Sequence, residues 1–152
     1  MKKQLLHSGW QLTTVGKNDT IPATVPGSVY NDLLNAGRME DPYWRDNEMK
    51  ALALMDEDYR YNTTFDVNAD VLNSERVLLR CEGLDTIADI VLNGEKIASV
   101  CNMHRTWEFD VKDSLKTTGN TLEIVFHSPT KYIKEQDKIC HAGGSDDAMV
   151  GF

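Results

Sequence analysis

The sequence has little basic charge and little of it is clustered. Its longest basic run is Lys2-Lys3, and its formal net charge is −8 with a pI near 4.9. A phosphate backbone or an anionic bilayer demands grouped Lys and Arg, so neither nucleic acid nor membrane is expected as a partner. Long apolar runs are missing too, since no stretch approaches the roughly 20 residues that a spanning helix needs. Met1-Lys2-Lys3 opens like a signal peptide, but QLLHSG (residues 4–9) supplies no apolar h-region behind it. Cysteine is scarce: Cys81, Cys101 and Cys140 cannot all pair, which fits free thiols in a reducing compartment. A soluble, cytoplasmic chain is expected.

Signatures of chemistry are equally thin. There is no G-x-S-x-G elbow, no Gly-rich phosphate loop and no H-E-x-x-H, so nothing marks a nucleophile or a phosphate site. Cys101-x-x-His104 and the pair Cys140-His141 have the composition of a zinc site. Neighbouring side chains of an extended segment diverge, however, so free thiols and surface imidazoles are the expectation there. Asp56-Glu57-Asp58 is followed by no loop of alternating oxygen ligands. It is expected to be a solvated strand entrance rather than a calcium site. Neither a metal nor a cofactor is expected.

What is present suits one domain with a real core. The chain has 152 residues, 41% hydrophobic and 26% charged, which is the ordinary globular range. The opening third is irregular, with a strand expected from WQL (residues 10–12) and an extended, Pro-punctuated segment over 21–27. A helix is expected over residues 28–36. Ser28 can cap it, Val29, Tyr30, Leu33 and Leu34 share a face, and Gly37 offers a left-handed stop.

From Tyr59 the period changes to two: Tyr59, Tyr61, Thr63, Phe65 and Val67 alternate with Arg60, Asn62, Thr64 and Asp66. Further strands are expected over 76–81, 87–92, 96–100, 106–111 and 121–126, with a tight hairpin at Asn93-Gly94 and a turn at Gly119-Asn120. Short strands at about ten-residue spacing mean an all-β, antiparallel sandwich or barrel. A helical turn or two is expected over 131–138, and the Gly- and Asp-rich segment 141–148 is expected to be mobile.

DPYWRDNE (residues 41–48) concentrates the groups that sugars bind: two aromatics, a guanidinium, an amide and three carboxylates. Its Asn47-Glu48 has the look of a retaining glycosidase's acid/base pair. Such hydrolysis needs two tuned carboxylates about 5–5.5 Å apart, and that pair sits on an eight-fold barrel of about 250 residues. The chain is too short for one and has no βα alternation, so Glu48 is not expected to be a catalytic acid. Tyr43 and Trp44 are expected to pack on the sandwich, as large aromatics usually do.

An ordered series of segments resembles the amino-terminal domain of the glycoside hydrolase family 2 β-mannosidases. It runs through WQL (10–12), ATVPGSVYNDLL (23–34) and DPYWRDNE (41–48), then YNTTFDV (61–67), EGLDT (82–86) and VLNG (91–94). NM (102–103), FDV (109–111), GN (119–120) and SP (128–129) complete it. EGLD and LNG alone would indicate only the wider family, which includes β-galactosidases and β-glucuronidases; PGSVYNDLL and DPYW point towards mannosidase.

The resemblance implies a jelly-roll, galactose-binding-like β-sandwich over residues 1–138, with one or two short helices. A mobile tail over 139–152 would lead towards immunoglobulin-like and barrel domains of the same chain, the end at Val150-Gly151-Phe152 being that of a fragment. It also implies that both catalytic glutamates lie on the barrel, so no catalytic residue is expected here. Asn47, Glu48, Asp46 and Trp44 are the candidates for one wall of a β-mannoside pocket. Two departures stand out. Leu52, Leu54 and Tyr59 occupy a stretch where the family usually has tryptophans, and His104 stands where an aromatic such as Phe is common. The alternatives are a self-standing carbohydrate-binding module using Tyr43 and Trp44, or the same domain of a β-galactosidase or β-glucuronidase.

Overall fold

A computed structural model describes residues 2–140. The segment 141–148 lies outside them, as does all of the expected tail except Ile139 and Cys140. The chain opens with strands β1 (Gln11–Thr14) and β2 (Thr20–Pro22), then helices α1 (Val29–Asn35) and α2 (Asn47–Ala53). Strand β3 (Tyr59–Phe65), helix α3 (Ala69–Leu72) and strand β4 (Leu78–Cys81) follow. The rest is β5 (Ile87–Leu92), β6 (Glu95–Cys101), β7 (Trp107–Asp110), β8 (Asn120–Phe126) and helix α4 (Pro129–Ile139).

Six strands form one antiparallel sheet in the order β2-β1-β3-β8-β5-β6, and β4 and β7 pair as a second, smaller sheet. Alternation sets the register. Ile21, Leu12, Tyr61, Ile124, Ile90 and Ala98 lie opposite one another across the large sheet, in a row that faces the core. The adjacent row is Thr20, Thr13, Arg60, Val125, Asp89 and Ser99, mostly polar and on the other face. A slip of one residue would exchange the two, which is why this register is strongly specified. Cys81, Val77 and Val111, in or beside β4 and β7, close the same apolar core from the other side.

The expected hairpin is present. Asn93 and Gly94 both have positive φ (53° and 83°), as a type I′ turn demands. The Asn93 amide N–H donates to Ser114 O (2.7 Å) and Asn120 Oδ1 (3.0 Å), while its Oδ1 accepts from Thr121 N–H (3.0 Å). Asn120, fully buried, also accepts from Lys116 N–H (2.8 Å) and donates to Lys116 O (2.7 Å). The turn is thereby fastened to the start of β8.

Three expectations need correcting. Helix α1 starts where predicted, with Ser28 Oγ accepting from Asn31 N–H (3.3 Å), but it buries Asp32 and Leu33 while Leu34 is exposed. The Asp32 carboxylate tolerates this because Tyr61 Oη donates to it at 2.9 Å and Thr24 N–H at 3.0 Å. Helical content exceeds one or two short helices. NEMKALA, the whole of α2, is rich in strong helix formers, and α4 runs for 11 residues, with Ser128 as its N-cap and Pro129 in its first turn.

The acidic triplet, finally, leads into β3 with Asp56 exposed, as expected, but it is more than a solvated entrance. Asp58 accepts from Ser128 N–H (2.9 Å) and Lys131 Nζ (3.2 Å), and Asp56 from Thr130 Oγ1 (2.6 Å) and Lys134 Nζ (3.1 Å). Glu57 takes Lys17 Nζ at 2.8 Å. Asp56 and Asp58 thus fasten α4 and its N-cap, while Glu57 ties to the segment between β1 and β2.

Candidate functional site

The DPYWRDNE segment forms a surface turn leading into α2. Backbone bonds shape it: Trp44 N–H donates to Asp41 O (3.1 Å) and Asn47 N–H to Trp44 O (3.2 Å). Side chains reinforce it, with Asp41 Oδ1 accepting from Tyr43 N–H (2.9 Å) and Asn47 Nδ2 donating to Asp41 O (3.1 Å). Lys50 Nζ reaches Glu40 at 2.6 Å and Asn47 Oδ1 at 3.4 Å, and the Glu40 contact raises the lysine's pKa. Arg45 sits in the left-handed region (φ 56°), a conformation that costs a side-chain-bearing residue roughly 1–2 kcal/mol. Tight bonding on both sides holds it there.

Tyr43 and Trp44 do not pack on the sandwich, contrary to expectation. They are 91% and 62% exposed, and among the described residues the Trp44 ring carries the Arg45 guanidinium, 5.7 Å from its centroid. The turn is too short to reach the core and its hydrogen bonds turn both rings outward.

Beside this turn lies a cleft of about 510 Å³ between α1 and residues 39–48. Leu34, Met39 and Pro42 give it apolar surface, and Tyr43 forms one lip. Asn31, Asp41, Arg45 and Glu48 bring polar groups to it. Tyr30 also lines it, while its Oη donates to Ala51 O (2.9 Å), tying α1 to α2; partial burial raises that phenol's pKa. Of the four wall candidates, Glu48 lines the cleft. Trp44, Asp46 and Asn47 are on the same turn but outside its lining, and the Asn47 amide braces the turn instead. Sequence reading passed over Asn31 and Arg45 as site residues. Their types were visible, but that α1 and the turn flank one cleft is a tertiary fact.

Other constellations lead elsewhere. Ser99, Asp89 and His127 do meet on the outer face of the large sheet, with Ser99 Oγ donating to Asp89 Oδ1 (2.6 Å) and His127 Nε2 3.0 Å from Asp89 Oδ2. The carboxylate is in the middle, so the hydroxyl faces no imidazole that could take its proton, as a serine nucleophile requires. Cys81 is a core residue whose thiol is pushed up to about 11 by burial, while Cys101 and Cys140 are exposed. No group of three His, Cys, Asp or Glu side chains that could hold a metal occurs among the described residues, and His141 lies outside them. No described helix is long and apolar enough to cross a membrane.

Known proteins share this arrangement. The β-mannosidase of Bos taurus is 31% identical over 88% of this chain, which spans only 15% of that enzyme. The crystal structure of the β-D-mannosidase of Dictyoglomus thermophilum superposes with a TM-score of 0.88 at 36% identity, over 93% of this chain and 18% of that one. The β-glucuronidase of Bifidobacterium dentium superposes less well, with a TM-score of 0.60 at 25% identity over 80% of this chain and 19% of that one. Residues 10–146 match the family described as the glycosyl hydrolase 2 galactose-binding domain-like, and this chain, with its antiparallel sandwich, belongs to that family.

Proposed function

We propose that this domain serves a retaining exo-β-mannosidase, an enzyme that hydrolyses terminal β-D-mannose residues. The observation that carries the reading is the close superposition on a β-D-mannosidase over 93% of the chain, against a TM-score of 0.60 for a β-glucuronidase. In this reading the catalytic carboxylates belong to a barrel domain of the same polypeptide, as the family resemblance implies. The present domain packs against that barrel and an immunoglobulin-like domain. Asn47, Glu48, Asp46 and Trp44 form part of one wall of the β-mannoside pocket, Glu48 from the cleft side and Asn47 by bracing the turn. The 152-residue chain alone is inactive, because an eight-fold barrel typically needs about 250 residues. Its free thiols support a reducing, cytoplasmic location.

The test is a chimera in which this domain replaces its counterpart in the D. thermophilum β-D-mannosidase. A folded chimera should hydrolyse p-nitrophenyl β-D-mannoside with retention of configuration, and this chain by itself should release no p-nitrophenol. A chimera that melts cooperatively yet turns over only β-glucuronides or β-galactosides would overturn the substrate; hydrolysis by the chain alone would overturn the division of labour.

A further inference from the structure

Helix α4 lies on the domain with its faces reversed. At about 100° per residue, Tyr132, Ile133, Gln136 and Ile139 share an arc of about 120°. The opposite side is the one that meets the sandwich: Thr130 Oγ1 and Lys134 Nζ donate to Asp56, and Lys131 Nζ donates to Asp58. An amphipathic helix ordinarily turns its apolar stripe to the core and its lysines to water. Here the lysines face the domain and the stripe faces out. Ile139 is 79% exposed, Tyr132 and Ile133 are nearly half exposed, and none of the three packs on the core. The bonds to Asp56 and Asp58 hold the first turns and make no use of the stripe. A helix of 11 residues is marginal in water unless its apolar face is buried.

We propose that this stripe is a docking surface for the polypeptide that follows the domain in a longer chain, met by an apolar face that also offers the Gln136 amide a hydrogen bond. The occupant rests on the β-mannosidase reading above. The two enzymes described are far longer, this chain spanning 15% and 18% of them, and α4 lies within the family match over residues 10–146. Size selects a tethered occupant over a free protein or a second copy. Four side chains offer on the order of a few hundred Å², short of the roughly 800 Å² per partner that a stable complex of separate proteins buries. A covalently linked partner needs far less, because its linker holds it at an effective concentration of millimolar order. As α4 is the last described element, polypeptide continuing from it starts beside Ile139.

Cys140, exposed and next to Ile139, is a built-in reporter. Alkylation with N-ethylmaleimide, read by peptide mass spectrometry, should modify it readily in the isolated chain. In the chimera, grafted to include Cys140, its rate should fall about tenfold, as for a docked form populated about ten to one. Cys81, buried in the core, should stay slow in both and reports that the fold is intact. Ile133→Lys combined with Ile139→Lys should return Cys140 in the chimera to its rate in the isolated chain. The same pair should leave the melting temperature of the isolated chain unchanged, since both positions are exposed and lysine is a good helix former.

Equal rates at Cys140 in the isolated chain and in a cooperatively melting chimera would overturn the surface. So would protection that survives the double substitution, or a lower melting temperature of the isolated double variant, which would make the stripe part of this domain's own packing. Protection in the isolated chain that grows with protein concentration would overturn the tethered occupant in favour of a second copy. An inactive chimera with Cys140 protected would sink the enzyme reading and leave the docking surface standing. An active chimera with Cys140 freely alkylated would do the reverse.

Discussion

A single buried carboxylate shows how far individual residues decide this fold. Asp32 is 2% exposed on a helix whose apolar pattern assigns it to solvent, and it is tolerated because Tyr61 Oη and Thr24 N–H both point at it. Burial first, then the hydrogen bond and charge of Asp32, push the Tyr61 phenol far above its ordinary range, so it remains a donor at any pH the fold meets. Tyr61→Phe keeps the ring against Phe126 but strips the carboxylate of one of its two donors. Leaving a buried acceptor short of a partner costs about 1–3 kcal/mol. Urea unfolding should show a lower midpoint with an unchanged slope; an unshifted midpoint would mean that water replaces the hydroxyl. None of this was legible beforehand, because the partners lie 29 residues apart and periodicity carries no information about who meets a helix face. Glu48 is the same kind of case: its residue type invited a catalytic reading, and only its placement makes it a cleft residue.

At the scale of elements, alternation made the strands readable and left the helices half-read. β5 and β8 follow their patterns to within a residue, since each side chain's face is fixed by period two. α2 escaped because aromatics and acids just before it drew attention to chemistry, although NEMKALA has the propensity of a helix. α4 is longer than its periodicity suggests because Ser128 caps it and Pro129 starts its first turn.

Ion pairs fasten the elements, and they should titrate. Asp89 on β5 bonds Lys96 Nζ (2.8 Å) and Ser99 Oγ (2.6 Å) on β6, and His127 Nε2 (3.0 Å) beyond β8. Partial burial pushes its carboxyl up, but the Lys96, Ser99 and His127 bonds together outweigh that and hold it at about 2. A depressed carboxyl stabilises the fold above its unfolded value of about 3.9 and loses that contribution as pH falls through the folded value. The Tm advantage of the native chain over Asp89→Asn should therefore be full at neutral pH and shrink between about pH 4 and 2. A gap that stays constant over that window would refute the pairing.

Asp58 makes a second such clamp. Burial raises its carboxyl, yet the Ser128 N–H, Lys131 and His127 outweigh that and lower it. Asp58→Ala removes the acceptor that holds Ser128, the N-cap residue of α4, and the lysine's partner together, so helical ellipticity should fall by about the share of α4, with a stability loss of about 1–2 kcal/mol as for a lost cap. Full ellipticity in that variant would place the anchor of α4 in Asp56 and Thr130 instead.

At the scale of the whole molecule, the sandwich is self-sufficient in its core but not on its surface. Trp10 is buried within it, whereas Trp44 and Met49 stand out beside the cleft, with Leu34 exposed on the neighbouring helix. Apolar side chains grouped in this way mark contact surfaces. The chain spans 15% and 18% of the two β-mannosidases described above, and in the proposed function the further domains of such an enzyme would cover this surface. The fold class and the family resemblance were legible because they rest on ordered local patterns. This surface was not, because the aromatics looked like core until their turn was seen to face outward. If a barrel domain covers it, Trp44 and Met49 must lose solvent when the domains are joined. Hydroxyl-radical footprinting reads that directly: in the isolated chain both should oxidise much faster than Trp10, and in the chimera their rates should fall severalfold. Unchanged rates at Trp44 and Met49 in an active chimera would mean that another face of the sandwich meets the barrel.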